Sequence, residues 1–281
     1  TLIQAIQCAN VNGAGADTIN LNGLTVTLTD SYENLGGLTG LPQIRTNITV
    51  RNGTITRSGS NEFRLLQVSN AGILSLHDMT LTNGGGATYA LWGGILSADS
   101  GSTVRIWRST ISGGSVSTSS NAGGIFAGGT FVMANSRVQG NTAGLGGGLG
   151  LQSGPVIISN SVISGNIATS GGAMYIPNLT VNDITITNST ITGNYATDSV
   201  ATATGGILSN ISGADLILQN TILWGNSNNG GTAPQIVNTS GTNTATNSII
   251  EGGQFGALNS NPLFVTPLIP SATPSTAGNF Q

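Results

Sequence analysis

The segment NSVISGN at residues 160–166 recurs 28 residues later as NSTITGN at residues 188–194. Looser copies of this form, Asn-Ser-x-Ile-x-Gly-Asn, extend in both directions along the chain. Their first positions are 22, 52, 78, 108, 135, 160, 188, 220 and 247, so the spacings are 30, 26, 30, 27, 25, 28, 32 and 27. A repeat of this length is typical of a solenoid, in which each unit contacts only its neighbours.

Each repeat contains two or three short strands. Leu216 and Leu218 alternate with other residues before a first position, and Gly205-Gly206 precedes a further apolar run. Such strands are too short to be stable alone, and no helical segment separates them. A propeller blade needs roughly 40 residues or more. The pattern therefore predicts an all-β right-handed parallel β-helix of about nine rungs, with an N-terminal capping helix.

The chain divides into three predicted regions. Residues 1–20 form an amphipathic N-terminal cap, residues 21–253 form the parallel β-helix, and residues 254–281 form an irregular, Pro-rich tail. We expect the tail either to pack as a strap along the last rung or to serve as a linker or donor segment to another chain.

The capping helix is predicted from one apolar face. Leu2, Ile3, Ile6 and Ala9 share that face, which would cover the open end of the first rung. Cys8, the only cysteine, is predicted to be buried as a small apolar residue.

Asparagine dominates the first positions of the repeats. It tolerates the left-handed conformation that a sharp turn between strands requires, and stacked amides hydrogen-bond from rung to rung. The two exceptions, Asp78 and Arg108, fall on adjacent rungs, so they are predicted to form an ion pair; two unrelated solvated charges are the alternative. The predicted structural ladder comprises Asn22, Asn52, Asn135, Asn160, Asn188, Asn220 and Asn247.

Composition excludes several classes of protein. Only 6% of residues are charged, the net charge is −3, and all seven basic residues are arginine. Seven scattered arginines supply no basic footprint for nucleic acid. No apolar run is long enough for a transmembrane helix. One cysteine and one histidine argue against a disulfide framework and a zinc site. The polar, nearly neutral surface favours an extracellular or cell-surface location.

The N-terminal stretch TLIQAIQCANVNGAGADTINL resembles the opening of secreted bacterial β-helix proteins with a Cys-Ser-Leu-Arg-Glu-Ala signature. The family's cysteine would lie before Thr1, and its arginine and glutamate are replaced here by Ile3 and Gln4. NPLFVTP, near residue 262, is similar to the family's closing segment. The resemblance implies a secreted or cell-surface protein of the pectate-lyase-like β-helix superfamily. The matching residues are Leu2, Ala5, Ile6, Ala9, Asn10, Asp17, Thr18 and Ile19.

No catalytic motif is found. Pectate-lyase-like enzymes need clustered aspartates with an arginine or lysine base, and polygalacturonase-like enzymes need paired aspartates with Gly-His-Gly and Arg-Ile-Lys. The ten acidic residues do not share columns in the repeat alignment. The best cluster comprises His77, Asp78, Arg105 and Arg108, which we interpret as a salt-bridge patch. We therefore expect no catalytic, cofactor-binding or metal-binding residue.

Two weaker sites are considered. Calcium would be held by oxygen atoms in loops that contain Asp99 or Asp198, although neither loop has the acid density of a dedicated site. Aromatic rings are the second feature, because exposed rings stack on sugars, whereas packing against loops is the alternative. The aromatic candidates are Tyr89, Trp92, Trp107 and Trp224.

Together these patterns predict a secreted, non-catalytic β-solenoid with a structural or adhesive role. Its expected partners are other copies of itself, joined head-to-tail into filaments, or extracellular glycans. A carbohydrate-active or carbohydrate-binding β-helix is the alternative.

Overall fold

The chain is a parallel β-solenoid in a computed structural model that describes residues 1–13, 15–34, 36–89, 91–177, 182–211, 214–231, 233–238 and 241–278. Short strands pair in parallel with their equivalents one repeat further on, which confirms the predicted all-β parallel β-helix. The nine repeat positions bound eight intervals, so the coil makes about eight turns where the sequence predicted nine rungs.

The corner is the name we give to the residue at the first position of each repeat. A first-sheet strand precedes it and a second-sheet strand follows it. Asn47–Arg57 and Ile73–Thr82 run through their corners and belong to both sheets. The other first-sheet strands are Ala16–Asn20, Thr103–Trp107, Thr130–Ala134, Val156–Ser159, Ile184–Thr187, Asp215–Gln219 and Thr242–Thr246. The other second-sheet strands are Thr25–Leu28, Thr110–Ser112, Arg137–Gln139, Val162–Ser164, Thr190–Thr192, Ile222–Trp224 and Ile249–Ile250.

A third sheet closes the coil. Its strands are Leu66–Val68, Leu96–Ala98, Ile125–Ala127, Leu149–Leu151, Met174–Ile176, Ile207–Ser209 and Ile236–Asn238. Three two-residue strands form a small parallel sheet, Ile167–Ala168, Tyr195–Ala196 and Ser227–Asn228. Glu33–Asn34 pairs antiparallel with Leu38–Thr39, and Gln254–Gly256 is a short 3-10 segment.

Every corner adopts the left-handed conformation. Its φ lies between 46° at Arg108 and 57° at Asn52 in all nine repeats. Asparagine occupies seven of these corners because it pays a smaller steric penalty there than most residues with a Cβ atom. The turn conformation predicted for this column is therefore confirmed.

The core consists of apolar columns that run the length of the coil. In one column Val104 lies over Phe131, which lies over Val156, and all three side chains are buried. Burial of an aliphatic side chain of this size contributes roughly 1.5–3 kcal/mol. The core therefore compensates for strands that are only two to five residues long in most turns.

An eight-residue helix, Leu2–Ala9, covers the first turn as predicted. Ile6 and Ala9 are buried in the core, and a capping box formed by Thr1 and Gln4 begins the helix. The prediction for Cys8 is wrong, because its side chain is exposed. Two residues along a helix with about 3.6 residues per turn point in nearly opposite directions, so Cys8 faces away from the core that Ile6 enters.

The C-terminal tail folds back along the coil as a strap. The backbone N–H of Ser275 donates to the carbonyl of Gly165 at 3.1 Å. Leu268 lies against Gly193, and Thr276 lies against Gly140, so the strap crosses equivalent glycines of three successive turns. A Cβ atom at Gly165 or Gly193 would collide with the strap.

We predict that Gly165→Ala releases the strap, whereas Gly225→Ala does not. Both glycines have a φ near +65°, so both substitutions cost roughly 1–2 kcal/mol of backbone strain. Only Gly165 contacts the strap; the nearest atom to a Cβ at Gly225 is Thr192 Oγ1, at 3.7 Å. Amide hydrogen exchange of residues 268–277 measures the release. Equal exchange in the two variants would contradict this packing.

Candidate functional site

The asparagine ladder predicted from the sequence is present, but most of its bonds lie in another column. All seven corner asparagines are exposed. Among described residues, their amide groups bond to each other only between Asn220 Nδ2 and Asn188 Oδ1, at 3.1 Å. The corner asparagines therefore serve the turn through their backbone conformation.

The buried ladder occupies the seventh position of the motif. Asn166 Oδ1 accepts from the backbone N and the Nδ2 of Asn141, at 3.0 and 2.9 Å. Asn194 and Asn226 repeat this arrangement on the next two turns, and Gln235 ends the ladder by accepting from Asn226 Nδ2 at 2.7 Å. All four asparagines are buried, so the polar column is shielded from water.

A hydroxyl ladder occupies the second position. The backbone N–H of Ser136 donates to Ser161 Oγ at 3.1 Å, and Ser161 Oγ donates to the carbonyl of Ser159 at 2.7 Å. Each serine hydroxyl of this column thus satisfies one backbone donor of the preceding turn and one acceptor of its own turn, whereas the Thr221 hydroxyl donates to the carbonyls of Gln219 and Ile186. The hydroxyl side chains of this column are Ser109, Ser136, Ser161, Ser189, Thr221 and Ser248.

We predict that Asn166→Ala lowers the free energy of unfolding by about 3 kcal/mol, because buried donors of Asn141 and the buried Oδ1 of Asn194 lose a partner. The exposed corner substitution Asn160→Gly keeps the left-handed turn and should change it by no more than about 0.5 kcal/mol. Urea unfolding checks both values. Similar losses in the two variants would show that the buried column is not a stabilising ladder.

The ion pair predicted at the two exceptional corners is present. Arg108 Nε and Nη2 donate to Asp78 Oδ1 and Oδ2, both at 2.7 Å, in a bidentate contact. Both side chains are about half exposed. Arg108 lowers the pKa of the Asp78 carboxyl group, chiefly through these hydrogen bonds. The pair therefore stabilises the fold above the unfolded pKa of an aspartate, and this contribution disappears as the pH falls through the lowered pKa.

His77 stacks on Trp107 beside this pair, with ring centroids 4.8 Å apart. Partial burial and the charge of Arg108 lower the pKa of His77 below its usual 6.5, Asp78 opposes them, and Arg51 adds a further lowering. Among the described residues, Asp78 bonds to Arg108 rather than to His77, so the cluster does not place an acid and a base in hydrogen-bond contact.

We predict that replacing Arg108 and replacing Asp78 change the pKa of His77 in opposite directions. Arg108→Gln removes a repelling charge and raises this pKa, whereas Asp78→Asn removes an attracting charge and lowers it. Because the chain has one histidine, an NMR titration of its imidazole signal is unambiguous. Shifts of the same sign would contradict the arrangement described above.

The candidate binding site is a groove of about 750 Å³ beside the third sheet. Trp92 is 44% exposed at its edge, and its ring lies 4.7 Å from that of buried Phe126, at an angle of 47°. We call this groove the Trp92 groove. Its other lining residues are Gly36, Arg64, Gln67, Asn70, Leu91, Ser97, Ala98, Asp99, Ser100, Gln152 and Ser153.

A fixed cation forms part of the groove wall. Arg64 is 2% exposed, and its Nε donates to Tyr89 Oη at 2.8 Å. Arg64 Nη2 donates to the carbonyl of Gly36 at 3.2 Å, and Tyr89 Oη donates to that of Leu38 at 2.9 Å. No described carboxylate lies within ion-pairing distance of Arg64. The guanidinium is therefore oriented without a counter-charge from the described part of the chain.

Polar side chains accompany the aromatic rings over four turns of the groove. Asn70, Asp99 and Gln152 follow third-sheet strands on different turns, and neighbouring turns lie about 4.8 Å apart. The sequence identified Trp92, Tyr89 and Asp99 individually but not this combination. The combination could have been found from the register of the third sheet, which places Ser97 beside Phe126.

The prediction that no two acidic residues share a column is wrong for one pair. Asp183 and Asp215 do share a column, because Ile184 pairs with Leu216 and the backbone N of Asp215 donates to Asp183 Oδ1 at 2.9 Å. The alignment already gave both the same distance from their corners. This pair lies outside the Trp92 groove.

The remaining candidate metal-binding and sugar-binding residues do not come together at one site. No three acidic, histidine or cysteine side chains of the described residues come together as a metal site. Asp198 Oδ1 accepts from the backbone of Val200, at 3.2 Å. Trp107 and Trp224 are half-buried on other faces of the coil, so Trp92 is the tryptophan with the largest exposed surface. The expectation of no metal-binding residue, with calcium as the alternative, stays a prediction.

Comparisons with family models, with curated proteins and with solved structures find no match to this chain. Within the described residues, no helix is both long and apolar enough to cross a bilayer. The parallel β-solenoid is consistent with the β-helix superfamily, and the Cys-Ser-Leu-Arg-Glu-Ala resemblance remains an expectation.

Proposed function

We propose that this protein is an extracellular, non-catalytic β-solenoid that adheres to carbohydrate chains through the Trp92 groove. The observation that carries the proposal is the exposed Trp92 ring, braced by Phe126 beside a row of polar side chains. Ligand sites combine apolar and aromatic walls with a few placed polar groups. A sugar presents both kinds of surface, because its C–H face is apolar and its rim carries hydroxyl groups.

The groove also suits a chain better than a single sugar. Asn70, Asp99 and Gln152 offer hydrogen-bonding groups on different turns along the coil axis. Arg64 adds a buried, oriented guanidinium in the groove wall, whose uncompensated positive charge attracts a sugar carboxylate in the groove. We therefore expect polysaccharides that contain uronic acids to bind more tightly than neutral ones.

A non-catalytic role is supported by the charges in the groove. Asp99 is the only carboxylate among the described residues that line it. Hydrolysis of a glycosidic bond usually needs two carboxylates, about 5–10 Å apart. The second candidate function, a carbohydrate-active β-helix, is favoured only by the Asp183–Asp215 column. Release of soluble sugars from a bound polysaccharide would promote it.

The proposed function also has a structural part, which is to hold the groove in place on a rigid coil. Apolar columns and two buried polar ladders link successive turns over most of the coil. Such a rod presents the groove at a fixed orientation. The polar, weakly charged surface and the absence of lysine favour an extracellular or cell-surface location.

We predict that Trp92→Ala weakens polysaccharide binding at least about fivefold, because a stacked aromatic ring contributes roughly 1–3 kcal/mol in comparable stacking sites. Trp224→Ala is the matched control, since Trp224 is half-buried and lies outside the groove. Isothermal titration against neutral and uronic-acid polysaccharides measures the effect. No binding by the unaltered protein, or equal losses in both variants, would refute the proposal.

A further inference from the structure

A second cavity, of about 680 Å³, lies between the strap and the last two turns of the coil. The strap lies against the equivalent glycines of three successive turns, but no strap atom lies within 4 Å of a Cβ atom placed on Gly225, which follows them on the next turn. The cavity occupies this gap, and its lining shares no residue with the Trp92 groove. We call it the strap cavity, and its wall includes Gly225, Ala233, Pro234, Glu251, Ile269 and Pro270.

Glu251 is the only carboxylate among the described residues that line the strap cavity. Its Oε2 accepts from the backbone N–H of Gly225 at 2.9 Å and from Gln235 Nε2 at 3.1 Å. On the preceding turn the equivalent N–H, that of Gly193, donates to the backbone carbonyl of Gly225. At Gly225 the acceptor is instead a side chain. The second oxygen, Glu251 Oε1, receives no hydrogen bond from the described part of the chain, so it is free to accept one from a ligand.

The end of the buried amide ladder holds this carboxylate in place. Gln235 is buried, and its Oε1 accepts from Asn226 Nδ2 at 2.7 Å. Its Nε2 donates both to the carbonyl of Asn226, at 2.9 Å, and to Glu251 Oε2. Glu251 is therefore oriented before any ligand arrives, which lowers the ordering cost of binding.

No basic side chain of the protein neutralises Glu251. Arg137 is the last basic residue of the sequence, whereas four carboxylates follow it. The corners at 135 and 247 are four turns apart, so Arg137 and Glu251 are separated by roughly 19 Å along the coil at about 4.8 Å per turn. Charges are largely screened beyond about 8 Å at physiological ionic strength. The cavity therefore has an uncompensated negative charge that attracts a cation.

The other walls of the cavity favour an organic cation over a metal ion. Ala233, Pro234 and Pro270 are apolar, and Ile269 is 80% exposed at the side of the strap. A metal ion such as calcium prefers six to eight oxygen ligands, and no three acidic, histidine or cysteine side chains of the described residues come together here. Apolar walls with one oriented polar group are instead typical of sites for small organic molecules.

We propose that the strap cavity binds an organic ammonium ion with a short aliphatic chain. The ammonium group donates a charge-assisted hydrogen bond to Glu251 Oε1, and the aliphatic chain covers Ile269 and Pro270. Because Glu251 belongs to the coil and Ile269 to the strap, the bound ion holds the two together. This site is independent of the proposed carbohydrate binding, and Trp92→Ala should leave its affinity unchanged.

An NMR titration of isotope-labelled protein with n-butylammonium tests the proposal. The amide signal of Gly225 should shift and saturate, because its N–H bonds directly to Glu251. Amide exchange of residues 268–277 in the strap should slow when the ion is bound. The matched ligand is n-butanol, which has the same chain without the charge and should bind about tenfold more weakly or less.

The first pair of variants tests the carboxylate. Glu251→Gln keeps an oxygen that accepts from the N–H of Gly225 but removes the charge, so it should weaken n-butylammonium binding about tenfold or more. Asp215→Asn is the matched control, because Asp215 is a half-buried carboxylate in the same part of the sequence but outside the cavity. It should leave the affinity unchanged. Thermal unfolding checks that both variants are folded.

A third variant tests the apolar wall on the strap. Ile269→Ser should weaken binding of n-butylammonium and leave that of methylammonium nearly unchanged, since the shorter ion has less apolar surface to bury. The change is expected to leave the fold intact, because Ile269 is exposed. Equal effects on the two ions would show that the strap does not contribute to the site, and would overturn this part of the proposal.

The whole proposal would be overturned by three results. These are no saturable shift with n-butylammonium, equal binding of n-butanol, and equal losses in Glu251→Gln and Asp215→Asn. Titration with Nα-acetyl-lysine methylamide then identifies the source of the ammonium group. Tighter binding than that of n-butylammonium would support a lysine side chain of a partner protein, and weaker binding would support a free amine.

Discussion

The left-handed corner at the start of each repeat is the constraint on which the rest of the coil depends. It turns the chain sharply between two strands without a spacer, so the next positions have fixed roles. After the corner at Asn160, Ser161 joins the hydroxyl ladder, Ile163 enters the core, Gly165 makes a second left-handed turn, and Asn166 joins the amide ladder. A shift of one residue would move each of these side chains to the opposite face of its strand.

The interior and the surface of the coil arise from different parts of the repeat. The seven-residue motif builds the corner, the ladders and part of the core. The Trp92 groove is instead lined by the third sheet and by the segments around it, such as the one that carries Leu91 and Trp92. These connecting segments account for most of the variation in repeat length, because the motif itself has a fixed length. The groove is thus formed by the parts of the repeat whose length varies most from turn to turn.

Most of the fold could be predicted from the sequence, because periodicity and turn chemistry are local signals. The corners, the stacking and the capping helix all follow from patterns within about 30 residues. The ladder was assigned to the wrong column because asparagine fills seven of the nine first positions but only four of the nine seventh positions, so recurrence favoured the corner. The structure separates the two columns by burial, since Asn166 is buried and Asn160 is exposed. The groove could not be predicted, since Arg64, Trp92 and Phe126 meet only after stacking. The predicted burial of Cys8 was wrong because the hydrophobicity of a side chain does not show which side of the helix it faces.

The strap changes how this rod would respond to a pulling force. Each turn of a solenoid bonds only to its neighbours, so tension on a free end would peel the turns away one after another, at low force. The strap contacts Gly140, Gly165 and Gly193 on three successive turns, and it runs back from the end of the coil. Tension applied beyond the strap therefore first loads the contacts between the strap and these three turns, before it can peel away the last turn of the coil. The strap thus acts as a mechanical anchor for that end of the rod.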